Sequence, residues 1–418
     1  MNSRNGNHKG PPQVLLVGYN GANNTGAEAL LLSDIADVRA VLGDDARITI
    51  PSLNPANLKR YVQEGPYLRI APIPTIYPLA LRNLVREHDL IMLVEGSTYM
   101  DTWTSAMLWA YLLATKCADD MGKPSLAYAV DAGNLSDFNR RLVRREASKT
   151  DLIITRAQAA ADRLRACGVT APIETTADNA FTFRPDVRDE GWVERVWPES
   201  AGEMVGLAVV NFYLWPVVMR PWGRREDCYK WPYYYSTSPE RRQATEALVD
   251  GYAALADCLA KEHGKAVALI CMEQLDEPLA RKIHARMAHP GRARVFSSRE
   301  YNASQMTVLL RSLEFLITSR YHACVLSLAA QVPQVAMGHD LRLKTIYDEL
   351  GFREQFFVDP TSTEPCRAVK ERLEKLLADP VLEREALRRG YEEHLAQAQR
   401  NRALLRTFVQ EHGWEVVA

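Results

Sequence analysis

The stretch Leu316-Ile-Thr-Ser-Arg-Tyr-His-Ala-Cys-Val-Leu-Ser-Leu-Ala-Ala-Gln-Val-Pro-Gln-Val-Ala-Met337 decides how this chain is to be read. Phe315–Thr318 is a continuous apolar run of strand length, and Ser319 to His322 is a polar turn. Ala323 to Ala330 has the composition of a helix, and Gln334 to Met337 that of a second buried strand. The turn therefore holds Arg320 and His322 where a strand ends and a helix begins. Ligands of open α/β sheets gather at the carboxyl ends of strands, and the free amides of a helix N-terminus favour anions. A guanidinium and an imidazole in such a turn suit a phosphate or a carboxylate. The same residues also allow a plainer arrangement, with Arg320 paired to a carboxylate of the protein and His322 capping the helix.

Working outward, the same rhythm recurs along the chain. Gln13 to Gly18 is an apolar strand, followed by Tyr19-Asn-Gly-Ala-Asn-Asn-Thr-Gly-Ala-Glu28 and an apolar helix from Ala29 to Ala40. The loop has neither the Gly-Lys-Ser/Thr of a P-loop nor a strict Gly-x-Gly-x-x-Gly. Its glycines permit close backbone approach, and Asn23, Asn24 and Thr25 can hydrogen-bond a polar ligand or cap the helix. Asp89 to Glu95 is a second buried strand that ends in Gly96-Ser-Thr-Tyr-Met-Asp101, so Glu95 and Asp101 fall at a strand end. Pro124 to Val130 leads to Asp131, and Leu152 to Thr155 to the helix from Arg156 to Gly168. Asp131 and Asp178, also at strand ends, suit a base for a hydroxyl or a loop pin.

Periodicity lapses over 184–203, where Pro, Gly and charge accumulate, and resumes with the strand Met204 to Asn211. Strands near 266–271 and 293–296 and helices near 244–261, 278–288 and 303–312 complete a second set. These patterns predict two Rossmann-like α/β domains, 13–190 and 203–364, and a helical segment over 365–418. An insert at 212–235 directly follows the first strand of the second domain. It carries the aromatic residues Phe212, Tyr213, Trp215, Trp222, Tyr229, Trp231, Tyr233, Tyr234 and Tyr235, with Arg220, Arg224 and Arg225 among them. Such rings stack on flat ligands and such cations clamp anions, while a dimer interface or a packed lobe uses the same residues.

The 418 residues are 47% hydrophobic and 25% charged, as in folded globular proteins. Lys+Arg of 51 against Asp+Glu of 52 argues against a dedicated nucleic-acid binder. The 7 cysteines are scattered, with no zinc-type spacing, which predicts reduced thiols and no required metal. Met1 to Pro12 lacks the apolar core of a secretory signal, and no apolar run reaches the ~20 residues of a membrane span. A cytoplasmic enzyme is the expectation.

The Gly18-to-Leu30 loop, Glu95-Gly96-Ser97, the helix from Arg156 to Gly168-Val169, Asp178-Asn-Ala-Phe181, and Ser319-Arg-Tyr-His322 with Val332-Pro-Gln-Val335 resemble signatures of polysaccharide pyruvyl transferases. The resemblance runs in order over residues 13–350. It implies a GT-B-like fold with the active site in the interdomain cleft, acceptor on the N-terminal side and donor on the C-terminal side. It also implies transfer of the enolpyruvyl unit of phosphoenolpyruvate to a sugar hydroxyl, generally as a ketal. Arg320 and His322 are then the catalytic pair, with His322 as general acid. Ser319, Arg320 and Lys344 would hold the donor, with Arg220 supplied by the insert. The strand-end residues Asn23, Asn24, Thr25, Glu95, Asp101 and Asp131 would face the acceptor. Phosphoenolpyruvate is a co-substrate on this reading and no cofactor is implied; a homo-oligomer is allowed.

Two departures stand out. Gly26-Ala27-Glu28 occupies the place of the family's Gly-Asp-Glu, and Asn211-Phe212 that of an arginine. The alternative is a GT-B glycosyltransferase that uses a nucleotide sugar, with Arg320 and Lys344 on the diphosphate. A relative that keeps the fold with a decayed site is a third.

Overall fold

The computed structural model describes residues 11–200, 203–379 and 381–417. Most of the stretch considered above for a leader, residues 1–10, lies outside them. The chain forms two compact units. Unit 1 comprises Met1–Ala22, Ala27–Phe183 and His394–Ala418; unit 2 comprises Asn23–Gly26 and Arg184–Glu393.

Unit 1 is built on a parallel sheet of β1 (Val14–Val17), β2 (Ile48–Ser52), β3 (Leu68–Pro72), β4 (Leu90–Leu93), β5 (Ser125–Val130), β6 (Leu152–Thr155) and β7 (Ile173–Thr175). Their order is β3-β2-β1-β4-β5-β6-β7, with β1 an inner strand between β2 and β4, beside the crossover to β4. Every residue of β1 is buried, as a strand covered on both faces requires. Alternation then sorts its side chains. Val14 and Leu16 join a core with Leu31, Ile35 and Val38 of helix Thr25–Leu42 and with Leu405, Phe408 and Val409 of helix Arg384–Glu411. Leu15 and Val17 join a second core on the other face, with Leu81, Leu108, Leu112, Val143 and Leu164. Helix Gln158–Cys167 stops where the sequence indicates, at Gly168 in the left-handed region (φ 86°).

Unit 2 repeats the plan. Strands β8 (Met204–Ala208), β12 (Ala266–Cys271), β13 (Ala293–Ser297), β14 (Phe315–Thr318), β15 (Gln334–Met337) and β16 (Phe357–Val358) order as β13-β12-β8-β14-β15-β16, all parallel. Both sheets thus carry the doubly wound arrangement, whose strand order reverses next to the first strand. The 212–235 insert is a separate antiparallel sheet of β9 (Val217–Met219), β10 (Cys228–Lys230) and β11 (Tyr233–Tyr235).

The observed division differs from the contiguous one expected. Residues 23–26 belong to unit 2, because their backbone bonds to the end of β12: Thr25 N–H donates to Met272 O at 2.8 Å, and Gln274 N–H to Asn23 O at 3.0 Å. The segment 365–418 is also not a unit of its own. Its first helix, Pro365–Ala378, and the residues up to Glu393 belong to unit 2; the remainder belongs to unit 1. Strands β3 and β16 escape sequence reading for local reasons. Leu68–Pro72 is an edge strand interrupted by exposed Arg69 and Pro72, and Phe357–Val358 is only 2 residues long.

Candidate functional site

In unit 2 the carboxyl ends of β12, β8, β14, β15 and β16 bring Glu273, Asn211, Ser319-Arg320, His339-Asp340 and Asp359 to one edge of the sheet. The turn after β14 is fixed by its own side chains. Arg320 N–H donates to Thr318 Oγ1 at 3.0 Å, and Thr318 Oγ1 donates to Arg320 O at 2.8 Å. Arg320 is the N-cap of helix Tyr321–Leu328, in an extended conformation, and His322 lies in the first turn of that helix.

Arg320 is a paired cation. Its Nε donates to Asp276 Oδ2 at 2.9 Å, its Nη2 bonds Asp276 Oδ1, and its Nη1 lies 3.2 Å from Glu273 Oε2. The side chain retains 14% exposure. Burial alone disfavours the charge on Arg320, but Asp276 and Glu273 outweigh it and hold the guanidinium ionised. Burial pushes the Asp276 carboxyl up while Arg320 pulls it back. The plainer reading of Arg320 as the partner of a carboxylate therefore describes its ground state. A guanidinium fixed in a bidentate fork still has N–H donors that face neither carboxylate.

His322 is half-buried and sits against the loop of residues 23–26. An added Cβ at Gly26 would collide with the His322 ring, so only glycine lets the ring take this seat. The loop is pinned by more than glycine. Asn24 forms an antiparallel bridge with Glu273, Asn23 Nδ2 donates to Gln274 Oε1 at 3.1 Å, and Ser298 Oγ donates to Asn23 O at 2.6 Å. Thr25 is fully buried. These three candidates thus precede directly the glycine that seats His322, and their backbone, with the Asn23 side chain, is bonded within unit 2.

Lys344 lies in helix Leu341–Glu349, whose N-cap Asp340 accepts from Arg342 N–H. Its Nζ is 3.8 Å from Asp359 and 5.9 Å from the Phe357 ring centroid. The remaining donor-side candidates are placed differently. Ser319 is buried and its hydroxyl bonds the Tyr252 hydroxyl at 2.9 Å, a packing role. Arg220 is exposed on the insert, over the Tyr234 ring at 4.8 Å.

Sequence reasoning missed Glu273, Asp276 and His339. His339 packs edge-on against Phe212, with ring centroids 5.3 Å apart. Burial lowers its pKa and Lys344 and Arg320 lower it further, against Asp340. A neutral imidazole accepts a proton rather than giving one. The signal available was position alone, since His339 and Asp340 follow β15 as Arg320 follows β14.

The acceptor-side candidates of unit 1 occupy structural positions. Asp131 accepts from Arg156 Nε at 3.0 Å and from its neighbour Ala132 N–H at 2.7 Å; Arg156 also bonds Asp178. Asp178 Oδ1 in turn caps the 3-10 turn Asn179–Thr182. Gly96 leaves room for the Arg156 guanidinium, which explains the glycine in Glu95-Gly96-Ser97. Glu95 is buried and accepts from Ser97 N–H at 3.1 Å. Asp101 Oδ2 accepts from Ser136 N–H at 2.8 Å and from Asn139 Nδ2 at 2.7 Å, pinning a loop.

All seven cysteines are free. Among the described residues, one group of metal-ligand type, Cys258, Glu262 and His263, brings its atoms within 4.8 Å of one another. The Lys370 ammonium already stands 3.4 Å from Glu262 there. No described helix is long and apolar enough to cross a membrane.

No curated protein matches the sequence. Among solved structures, Anabaena Alr3699/HepE in complex with UDP is 13% identical, with a TM-score of 0.56 over 95% of this chain and 99% of that one. The S. aureus MnaA–UDP co-structure gives 11% and 0.61, over 95% of this chain and 96% of that one. UDP-GlcNAc 2-epimerase from Neisseria meningitidis bound to UDP-GlcNAc gives 8% and 0.59, over 95% and 100%. At these identities the likeness establishes the fold, which is GT-B-like with two parallel sheets. The family model for polysaccharide pyruvyl transferase matches residues 24–340, a span that includes the loop at 23–26 almost whole, Arg320, His322 and the end of β15. The chain belongs to the polysaccharide pyruvyl transferase family, and is a transferase.

Proposed function

We propose that this protein moves the enolpyruvyl/pyruvyl unit of phosphoenolpyruvate onto a hydroxyl of a sugar or glycosylated metabolite, with His322 as general acid. The observation that supports this is the grouping of Arg320, His322, His339 and Lys344 around one carboxyl edge of the unit 2 sheet. His322 gives its proton to the methylene carbon of the enol phosphate, and the double-bond electrons form the new C–H bond. The neighbouring carbon becomes oxocarbenium-like, and the acceptor oxygen bonds to it. Loss of phosphate and attack by a second hydroxyl complete a ketal, with the hydroxyl protons released. Lys344 and the uncommitted N–H groups of Arg320 hold the anionic donor and favour phosphate departure. Asp276 keeps the guanidinium in one orientation while they do so.

Two measurements test this. Thermal unfolding followed with phosphoenolpyruvate should show stabilisation. Stabilisation by a UDP- or GDP-sugar in its place would instead support glycosyl transfer. The variant His322→Ala should stay folded and lose about 10²–10⁴-fold in turnover; an unchanged product yield rejects the acid role.

A further inference from the structure

The antiparallel lobe of β9, β10 and β11 carries side chains for which the chemistry above has no use. Trp222 is 78% exposed, Met219 62% and Trp231 59%. Large apolar groups this exposed and this close in sequence are unusual on a soluble surface. Around them stand Arg220, Arg224, Arg225 and Lys230, all exposed. The acids of the same segment are fewer. Glu226 lies 4.0 Å from Arg224, and Asp227 is paired at 3.2 Å with Arg242 of the helix that follows. The lobe is therefore locally cationic on a chain whose formal net charge is −1.

The lobe is also built to hold its shape. Tyr233, Tyr234 and Tyr235 pair in register with Met219, Val218 and Val217, and Tyr234 is buried beneath Arg220. Trp231 Nε1 donates to Pro221 O at 3.2 Å, tying the two exposed tips together. Tryptophan prefers the boundary between water and hydrocarbon, where its flat ring sits at headgroup level. Arginine and lysine next to it are drawn to anionic lipid, roughly fivefold in partitioning for each.

We propose that this lobe docks the protein on an anionic lipid surface, with Trp222 and Trp231 in the headgroup layer and Arg224, Arg225 and Lys230 against lipid phosphates. Charge complementarity selects this occupant. A second copy of the chain, meeting lobe to lobe, would set the same cations against each other. A neutral glycan would leave those cations without a role. The docking surface is independent of the identity of the donor.

The test uses the full-length protein and sedimentation with vesicles of equal parts phosphatidylglycerol and phosphatidylcholine. Co-sedimentation with these, its loss on pure phosphatidylcholine, and a blue shift of tryptophan emission are expected. Arg224→Glu with Arg225→Glu should lower partitioning at least tenfold. Trp222→Ala with Trp231→Ala should remove the blue shift and weaken binding while the protein stays folded, and Trp222→Ala alone, which leaves the Trp231–Pro221 bond in place, should weaken binding at unchanged thermal stability. A protein that stays in the supernatant overturns the proposal, as does binding indifferent to either pair of substitutions. A concentration-dependent dimer that the tryptophan variant dissolves would assign the lobe to a second copy and overturn it equally.

Discussion

Replacing Gly26 by alanine gives the most direct reading of how His322 is seated. Gly26 lies in the first turn of helix Thr25–Leu42, and the position an alanine Cβ would take is filled by His322 Nδ1, Cγ and Cε1. In a helix, alanine is favoured over glycine by about 1 kcal/mol, while forced overpacking costs about 1–3 kcal/mol. The net change in stability is therefore at most about 2 kcal/mol. For a unit of about 200 residues unfolding by itself that moves Tm by no more than roughly 4–8 °C, and for the whole chain unfolding together by about 2 °C. The ring, however, must shift by on the order of 1 Å, and a displacement of that size at a reacting group costs about 100-fold in rate. Gly26→Ala should thus remain folded while turnover with phosphoenolpyruvate falls about 10–100-fold, and the His322 ring resonances should move. Gly65→Ala is the control, since a Cβ there meets nothing within 4 Å. Parental turnover in Gly26→Ala would refute the claim that this seat positions the acid.

Two further outcomes concern buried charge. Glu383 is fully buried; one oxygen accepts from Gln334 N–H at 2.7 Å, and burial pushes its carboxyl from 4.5 up to about 8. Its folded pKa lies above the unfolded one, so its contribution to stability is complete below pH 4.5 and declines as pH rises to about 8. Glu383→Gln should flatten this slope and gain on the order of 3 kcal/mol over the parent near pH 8; denaturant titrations at pH 5 and pH 8 that show the same difference would contradict it. Arg156→Met should cost about 3–5 kcal/mol, because Asp131 and Asp178 lose the cation that compensates their burial. A midpoint of chemical unfolding equal to the parent's would count against that ion pair as a structural element.

The strands were legible in the sequence because a parallel sheet covered on both faces demands unbroken apolar runs, and Val14–Val17, Leu90–Leu93 and Phe315–Thr318 are such runs. Position at strand ends followed, and with it Arg320 and His322. What stayed hidden was partnership. Nothing near residue 320 in sequence names Asp276 or Glu273 as its counter-charges, and nothing in Asn23-Asn24-Thr25 says that it bonds to Met272 and Gln274. Such pairings are set by which strands lie side by side, and strand order is not local information. For the same reason Asp131 looked available for an acceptor, although Arg156 and the backbone of Ala132 engage it.

Helix Arg384–Glu411 and the residues just after it tie late positions of the chain to early strands. Leu405, Phe408, Val409 and Trp414 fill the same core as Val14, Leu16 and Ile48, and Asn401 bonds Thr176 and the carbonyl of Ala177 at the far end of that sheet. Domains of growing chains usually form from the N-terminus as they leave the ribosome. Here Val14, Leu16 and Ile48 have one hydrophobic face closed only when residues 405–414, made much later, have packed against it. Loss of residues 401–414 therefore injures strands more than 350 positions earlier in the sequence, because it opens the core that Val14, Leu16 and Ile48 occupy.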